Sequence, residues 1–190
     1  LGIEQAHVVG ASMGGMVAQT MAIRHPERML TLTSIMSHTG EVQYSVGSPR
    51  SLSTLLAPAP ANRNEAMDNA LAFYAATGST GFERDEVMIR TRAGLAFDRC
   101  FYPPGFKRQM AAILASGSRS QALRCVRVPT LVIHGSADSL IRPAGGHATA
   151  RAIPNARLTI IDGMGHDLPE GAWPQLIEGI CEHARAHDGN

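Results

Sequence analysis

Six residues, Gly10-Ala11-Ser12-Met13-Gly14-Gly15, restrict this chain more than any other stretch of it. They follow an apolar run at Ala6, Val8 and Val9 and precede a stretch, Met13 to Arg24, whose apolar residues Met16, Val17, Met21 and Ala22 recur at helical spacing. The pattern predicts a strand, a turn built from small residues, and a helix that ends near His25 because Pro26 disfavours helix at the residue before it. A bare glycine-any-serine-any-glycine is a common accident, and without its flanks it reads as a Gly/Ser loop at a strand end. Between strand and helix it predicts a turn that holds Ser12 in a strained conformation with its hydroxyl above the sheet. Gly10 and Gly14 are expected to remove side chains that would collide across the turn, and Gly15 to let the helix pack closely.

Serine is a weak nucleophile unaided, so a chemical role for Ser12 demands a base and an orienting acid. Both occur in order. A strand predicted over Thr130 to His134 is followed by Gly135-Ser136-Ala137-Asp138, with Pro143 opening the next helix, Ala144 to Ala152. A further strand, Arg157 to Ile161, is followed by Gly163-Met164-Gly165-His166. In a parallel sheet the ends of these strands share one edge with Ser12. The alternatives fit less well. His134 lies within a strand and reads as a packed imidazole, His7 and His147 fall in a strand start and a helix, and His25, His183 and His187 sit at helix ends or the tail, where exposure is the default. Asp162 and Asp167 are so near His166 that the chain would have to double back for either to reach the imidazole.

A second apolar run from Met29 to Met36 completes a strand-helix-strand unit, and Pro174 to Ala186 forms a last helix with Leu176, Ile177, Ile180, Cys181 and Ala184 on one face. Continuous apolar strands alternating with helices argue for a parallel α/β sheet. Residues 1–37 and 128–190 are therefore assigned to a sheet core and residues 38–127 to an insertion. The insertion carries Pro-, Ser- and Gly-rich loops, then helix candidates near Glu65 to Ala76, Arg84 to Phe97 and Phe106 to Ser116. It holds eight of the nine aromatic residues, with Met67, Met88 and Met110, which suits an apolar pocket, although each residue taken singly reads first as the insertion's own core. Arg84, Arg90 and Arg92 read as a solvated face.

The 17 Lys+Arg against 16 Asp+Glu leave no basic surface for nucleic acid or an anionic membrane. No apolar run approaches the ~18 residues a transmembrane helix needs. Cys100, Cys125 and Cys181 are odd in number and widely spaced, which gives neither a disulfide framework nor a zinc site and fits a reducing, cytoplasmic compartment. Neither a metal nor an organic cofactor is expected.

The segments GASMGG, TLTSIMSHTG, HGSADSLIRP and DGMGHDLP resemble the serine α/β-hydrolase superfamily, within it esterase-like members similar to aclacinomycin-type methylesterases. The resemblance covers both ends of the chain; the middle matches in length and helical character. It implies an α/β-hydrolase fold with a helical cap over the site, Ser12 as nucleophile, Asp138 as acid, His166 as base, and the Met13 backbone N–H as one oxyanion donor. Relatives of this fold that dehalogenate haloalkanes or open epoxides carry aspartate where this chain has Ser12. The implied activity is hydrolysis of a small to medium, largely apolar ester. Thioester, lactone, amide and perhydrolysis chemistry use the same triad, and a catalytically silent binding protein or an inactive fragment of a hydrolase are the alternatives.

The 190 residues suffice for one domain, which buries roughly 70% of the surface its unfolded chain exposes. The elements nevertheless resemble the second half of the fold, starting at the nucleophile strand. The second oxyanion donor is expected near a His-Gly pair after an earlier strand, which this sequence does not contain. Residues preceding Leu1, or a second copy of the chain, are expected to pair along Ala6 to Val9.

Overall fold

A computed structural model describes residues 2–188, with Ser45 described by its backbone alone. Four parallel strands, β1 (Ala6–Ala11), β2 (Met29–Ile35), β3 (Thr130–Gly135) and β4 (Arg157–Ile161), form one sheet in the order β1-β2-β3-β4. Helix α1 (Met13–Arg24) connects β1 to β2 and α8 (Pro143–Ala152) connects β3 to β4, while α9 (Trp173–Arg185) follows β4. Between β2 and β3 the described residues form only helices: α2 (Val42–Ser45), α3 (Pro49–Leu55), α4 (Arg63–Thr77), α5 (Glu86–Arg99), α6 (Pro103–Ser116) and α7 (Ser120–Leu123).

Strand side chains alternate between two apolar layers. Leu32 faces Ala18 and Ala22 of α1, with Leu123, Val126 and Ile153 completing that layer. Ile35, Leu131, Ile133 and Ile161 face Leu176 of α9 and the buried Met164 on the other side. Period-2 alternation in strands covered on both faces requires apolar residues at successive positions, which is why Leu131, Val132 and Ile133 are all buried.

Two expectations are corrected. Helix α9 does not bury Ile177, which is 57% exposed; its inner face runs through Leu176, Ile180 and His183, with His183 2% exposed rather than in solvent. Positions 176, 180 and 183 share a face by the i, i+4, i+7 rule, and the imidazole tolerates burial because its Nε2–H donates to Pro129 O at 3.2 Å. The stretch read as loops after His38 contains short helices. Helix α3 starts at an N-cap, Ser48, whose side chain accepts from Ser51 N, with Pro49 in the first turn.

In the insertion α4 opens on Asn62, which accepts from Glu65 N, and α5 on Asp85, which accepts from Met88 N. Two exposed ion pairs, Arg63–Asp98 and Arg90–Asp68, join these helices. Phe82 packs against the α9-side core layer, Phe97 stacks on Phe101, and Phe101, Tyr102 and Phe106 stay well exposed.

Candidate active site

Because all four strands are parallel, the turns after β1, β3 and β4 open on one edge of the sheet. Ser12 follows β1 directly with φ 54° and ψ −118°, a conformation that costs a non-glycine residue about 1–3 kcal/mol. Backbone bonds hold it there: Ser12 N donates to Ile35 O at 2.9 Å, and Ser12 O accepts from Gly15 N and Met16 N. A Cβ at Gly10 would lie 2.1 Å from Gly14 O, and one at Gly15 would lie 2.6 Å from Ser37 Cβ. Gly14 is different from expectation, since a Cβ there meets nothing within 4 Å. The collision that Gly10 avoids is with the backbone of residue 14, so the side chain at 14 is free to point away.

Asp138 lies in the turn after β3 and is 3% exposed. Its Oδ1 accepts from Leu140 N at 3.0 Å and Ile141 N at 2.9 Å. Its Oδ2 lies 2.8 Å from His166 Nδ1, and His166 Nε2 lies 2.9 Å from Ser12 Oγ. The carboxylate fixes the imidazole hydrogen on Nδ1, which leaves Nε2 as acceptor for the Ser12 hydroxyl. Burial on its own would raise the Asp138 carboxyl, but hydrogen bonds from His134 and His166, the charge of His166 and the Ile141 N–H together outweigh it and hold the group below its ordinary value.

The other candidates fall elsewhere. Asp162 accepts from Ser136 Oγ at 2.8 Å, and Asp167 accepts from Ser79 Oγ at 2.5 Å; neither is bonded to His166. His134 is fully buried, as a packed imidazole should be, yet it is also close to the acid. Its Nε2–H donates to Ile141 O at 2.7 Å, and the same nitrogen lies 3.4 Å from Asp138 Oδ2. Spacing hinted at this, since four residues bring His134 and Asp138 together around a strand-end turn. His7 bonds Thr31 Oγ1 and Asp188, while His25 and His147 are exposed. Met13 is the first residue of α1, where backbone N–H groups have no intrahelical acceptor and the helix dipole favours negative charge.

A family profile described as alpha/beta hydrolase fold matches residues 1–171. The chain belongs to the alpha/beta hydrolase fold family. Among similar proteins, rhodomycin D methylesterase DnrP of Streptomyces peucetius is 31% identical over 212 residues, an alignment that covers 97% of this chain and 68% of that protein. A 2-hydroxymuconate semialdehyde hydrolase of Pseudomonas putida is 28% identical, with 97% of this chain and 60% of that protein covered. Among solved structures, the 2-hydroxy-6-oxo-6-phenylhexa-2,4-dienoate hydrolase of Rhodococcus sp. strain RHA1 superposes with a TM-score of 0.74 at 21% identity, covering 97% of this chain and 65% of that one. This alpha/beta hydrolase chain thus spans about 60–68% of the length of these three proteins. Among the described residues no helix is long and apolar enough to cross a membrane.

Proposed function

We propose that this chain carries the catalytic centre of a serine hydrolase that cleaves carboxylic esters of small to medium, largely apolar acids or alcohols. The observation that carries the reading is the unbroken hydrogen-bonded line from Ser12 Oγ through His166 to Asp138 Oδ2, with links of 2.9 and 2.8 Å. Relatives named as a methylesterase and as hydrolases support it.

As Ser12 Oγ attacks the ester carbonyl carbon, its proton passes to His166 Nε2. Asp138 keeps the imidazole in the right tautomer and stabilises the imidazolium by its negative charge. The carbonyl oxygen becomes an oxyanion facing the Met13 N–H at the N-terminus of α1. Collapse of the tetrahedral adduct breaks the ester C–O bond, and His166 hands its proton to the departing alcohol. Water then attacks the Ser12 ester with His166 as base, which releases the acid and restores the hydroxyl. In this reading the helical insertion serves as the cap over this centre.

The test is hydrolysis of a panel of p-nitrophenyl, methyl, thio- and lactone esters by the chain and by its Ser12→Ala variant. Loss of at least about 10³-fold in kcat/KM is expected, as for removal of a triad nucleophile. A fluorophosphonate probe is expected to label Ser12 in the unaltered chain. Undiminished hydrolysis by Ser12→Ala would overturn the proposal, as would a chain that neither hydrolyses any ester nor takes the probe; the second result would leave a silent scaffold or an inactive fragment of a hydrolase.

A further inference from the structure

The insertion meets the sheet edge at residues 76–81, where α4 ends and a short loop leads towards α5. Two sheet-edge loops are bonded to this one segment. Next to Asp138, Ser139 Oγ donates to Ala76 O at 2.9 Å. Around His166 three consecutive residues are held. Gly165 N donates to Ser79 Oγ at 2.9 Å, His166 N donates to Thr77 O at 2.7 Å, and Asp167 Oδ1 accepts from Ser79 N at 2.9 Å and from Ser79 Oγ at 2.5 Å. Thr80 N and Gly81 N both donate to Gly163 O at 2.9 Å.

Ser79 is the hub of this array. Its hydroxyl proton goes to Asp167, its hydroxyl oxygen takes the Gly165 N–H, and its own N–H goes to Asp167 as well, so it clamps the chain on both sides of His166. The residue is 5% exposed, which shields these bonds from competing water. Bonds to an ionised carboxylate are short and roughly twice as strong as neutral ones. The loop cannot hold its own shape so firmly, because Gly163 and Gly165 on the approach to His166 leave its backbone free to turn. The fit is also close: a Cβ on Gly165 would lie 2.3 Å from the Gly78 carbonyl carbon.

We propose that Ser79 and Asp167 form a latch through which the insertion positions the His166 imidazole for reaction. Both are positioning residues, acting through His166 and touching no substrate. This inference rests on the triad reading of Ser12, His166 and Asp138. Its consequence is that the insertion is a working part of the centre as well as its cover: a shift of residues 77–79 carries the base away from Ser12.

The experiment compares the chain with Ser79→Ala, Asp167→Ala and Asp167→Asn. It measures kcat and KM for p-nitrophenyl acetate across pH, the rate of fluorophosphonate labelling, and thermal unfolding. Ser79→Ala and Asp167→Ala are expected to lower kcat by about 10²-fold with little change in KM, the size of effect that misplacing a reacting group by about 1 Å produces. Both should also slow labelling of Ser12 and shift the pH profile of kcat/KM. Asp167→Asn keeps an acceptor oxygen where Ser79 needs one, so it should retain most of the activity. Ser79→Ala leaves the Ser79 N–H bond to Asp167 in place and serves as the milder variant if Asp167→Ala does not fold. Folded Ser79→Ala with an unaltered kcat and pH profile overturns the latch, as does an Asp167→Asn loss equal to that of Asp167→Ala with no change in profile. If Ser12→Ala is inactive while both latch variants are normal, the latch alone fails; if Ser12→Ala remains active, the triad reading fails.

Discussion

At His38, just past β2, the chain buries an imidazole that resists being charged. The ring is 3% exposed and its Nδ1 accepts from Gly40 N. Burial above all, then the nearby positive charge of Arg119 and the His134 ring, lower its pKa from 6.5 to about 4. Arg119 makes no ion pair among the described residues; its guanidinium donates to Gln19 Oε1, Ser116 Oγ and His38 O. An unfolded His38 takes up a proton as pH falls below about 6.5, whereas the folded one does so only near 4. The stabilisation is therefore complete above pH 6.5 and is lost as pH falls towards 4. Linkage gives a loss of about 2 kcal/mol between pH 7 and pH 5 from this residue. Urea unfolding at the two pH values checks it: His38→Asn, which keeps an acceptor for Gly40 N, should flatten the difference by that amount, and an unchanged slope would refute the assignment. The same scale holds the acid. Replacing His134 by Leu strips the buried Ile141 carbonyl of its 2.7 Å donor and should cost about 1–3 kcal/mol in unfolding free energy. Asp138, whose depressed carboxyl gives stability that is present at neutral pH and lost as pH falls through its folded value, should also protonate at a higher pH in that variant, which an acid unfolding curve detects.

The residues of the candidate site were readable because each is announced locally, Ser12 by glycines between strand and helix, Asp138 and His166 by turns that end apolar strands. Burial of His134 was readable too, since its ring lies within an apolar strand, but burial of His38 and His183 was not, because it depends on which distant element covers a ring. At the scale of elements the same division holds. Strands β1 to β4 and the helices α1, α8 and α9 were evident from apolar runs and helical spacing, whereas the face of α9 was not, since Leu176, Ile177, Ile180 and Cys181 are all apolar and only packing decides among them. The structure makes Leu176 5% and Ile177 57% exposed. Leu176→Ala should then cost about 2–5 kcal/mol, as for a core truncation. Ile177→Ala, one residue away, should stay within about 0.5 kcal/mol, as for an exposed site. Chemical denaturation of the pair decides which face is inside, and equal losses would contradict the packing.

At the scale of the whole sheet, the outer side of β1 stands apart. Among the described residues β1 pairs with β2 alone, so one side of it offers unpaired N–H and C=O groups. Its face towards α1 is covered through Val8, but α9 lies against β2 and β3, and Val9 on that other face is 47% exposed. Val17 on the adjoining helix α1 is 61% exposed. Proteins commonly blunt a free edge with charge, proline or a covering element; β1 has no Lys, Arg, Asp, Glu or Pro between Ala6 and Ala11, and among the described residues no strand pairs with its outer side. An edge of this kind templates another strand, and apolar side chains beside it add area to the contact. Residues 1–190 taken by themselves are therefore expected to associate through β1, giving a light-scattering mass above that of a 20.2 kDa monomer, and Val9→Lys should return them towards the monomer by placing a charge on the contact. Hydrogen exchange reads the same event from the backbone, because outward-facing amides of β1 that pair with a second strand become protected as concentration rises. A monomer whose β1 amides exchange freely at every concentration would refute the association, and would mean that solvent alone satisfies an edge this apolar.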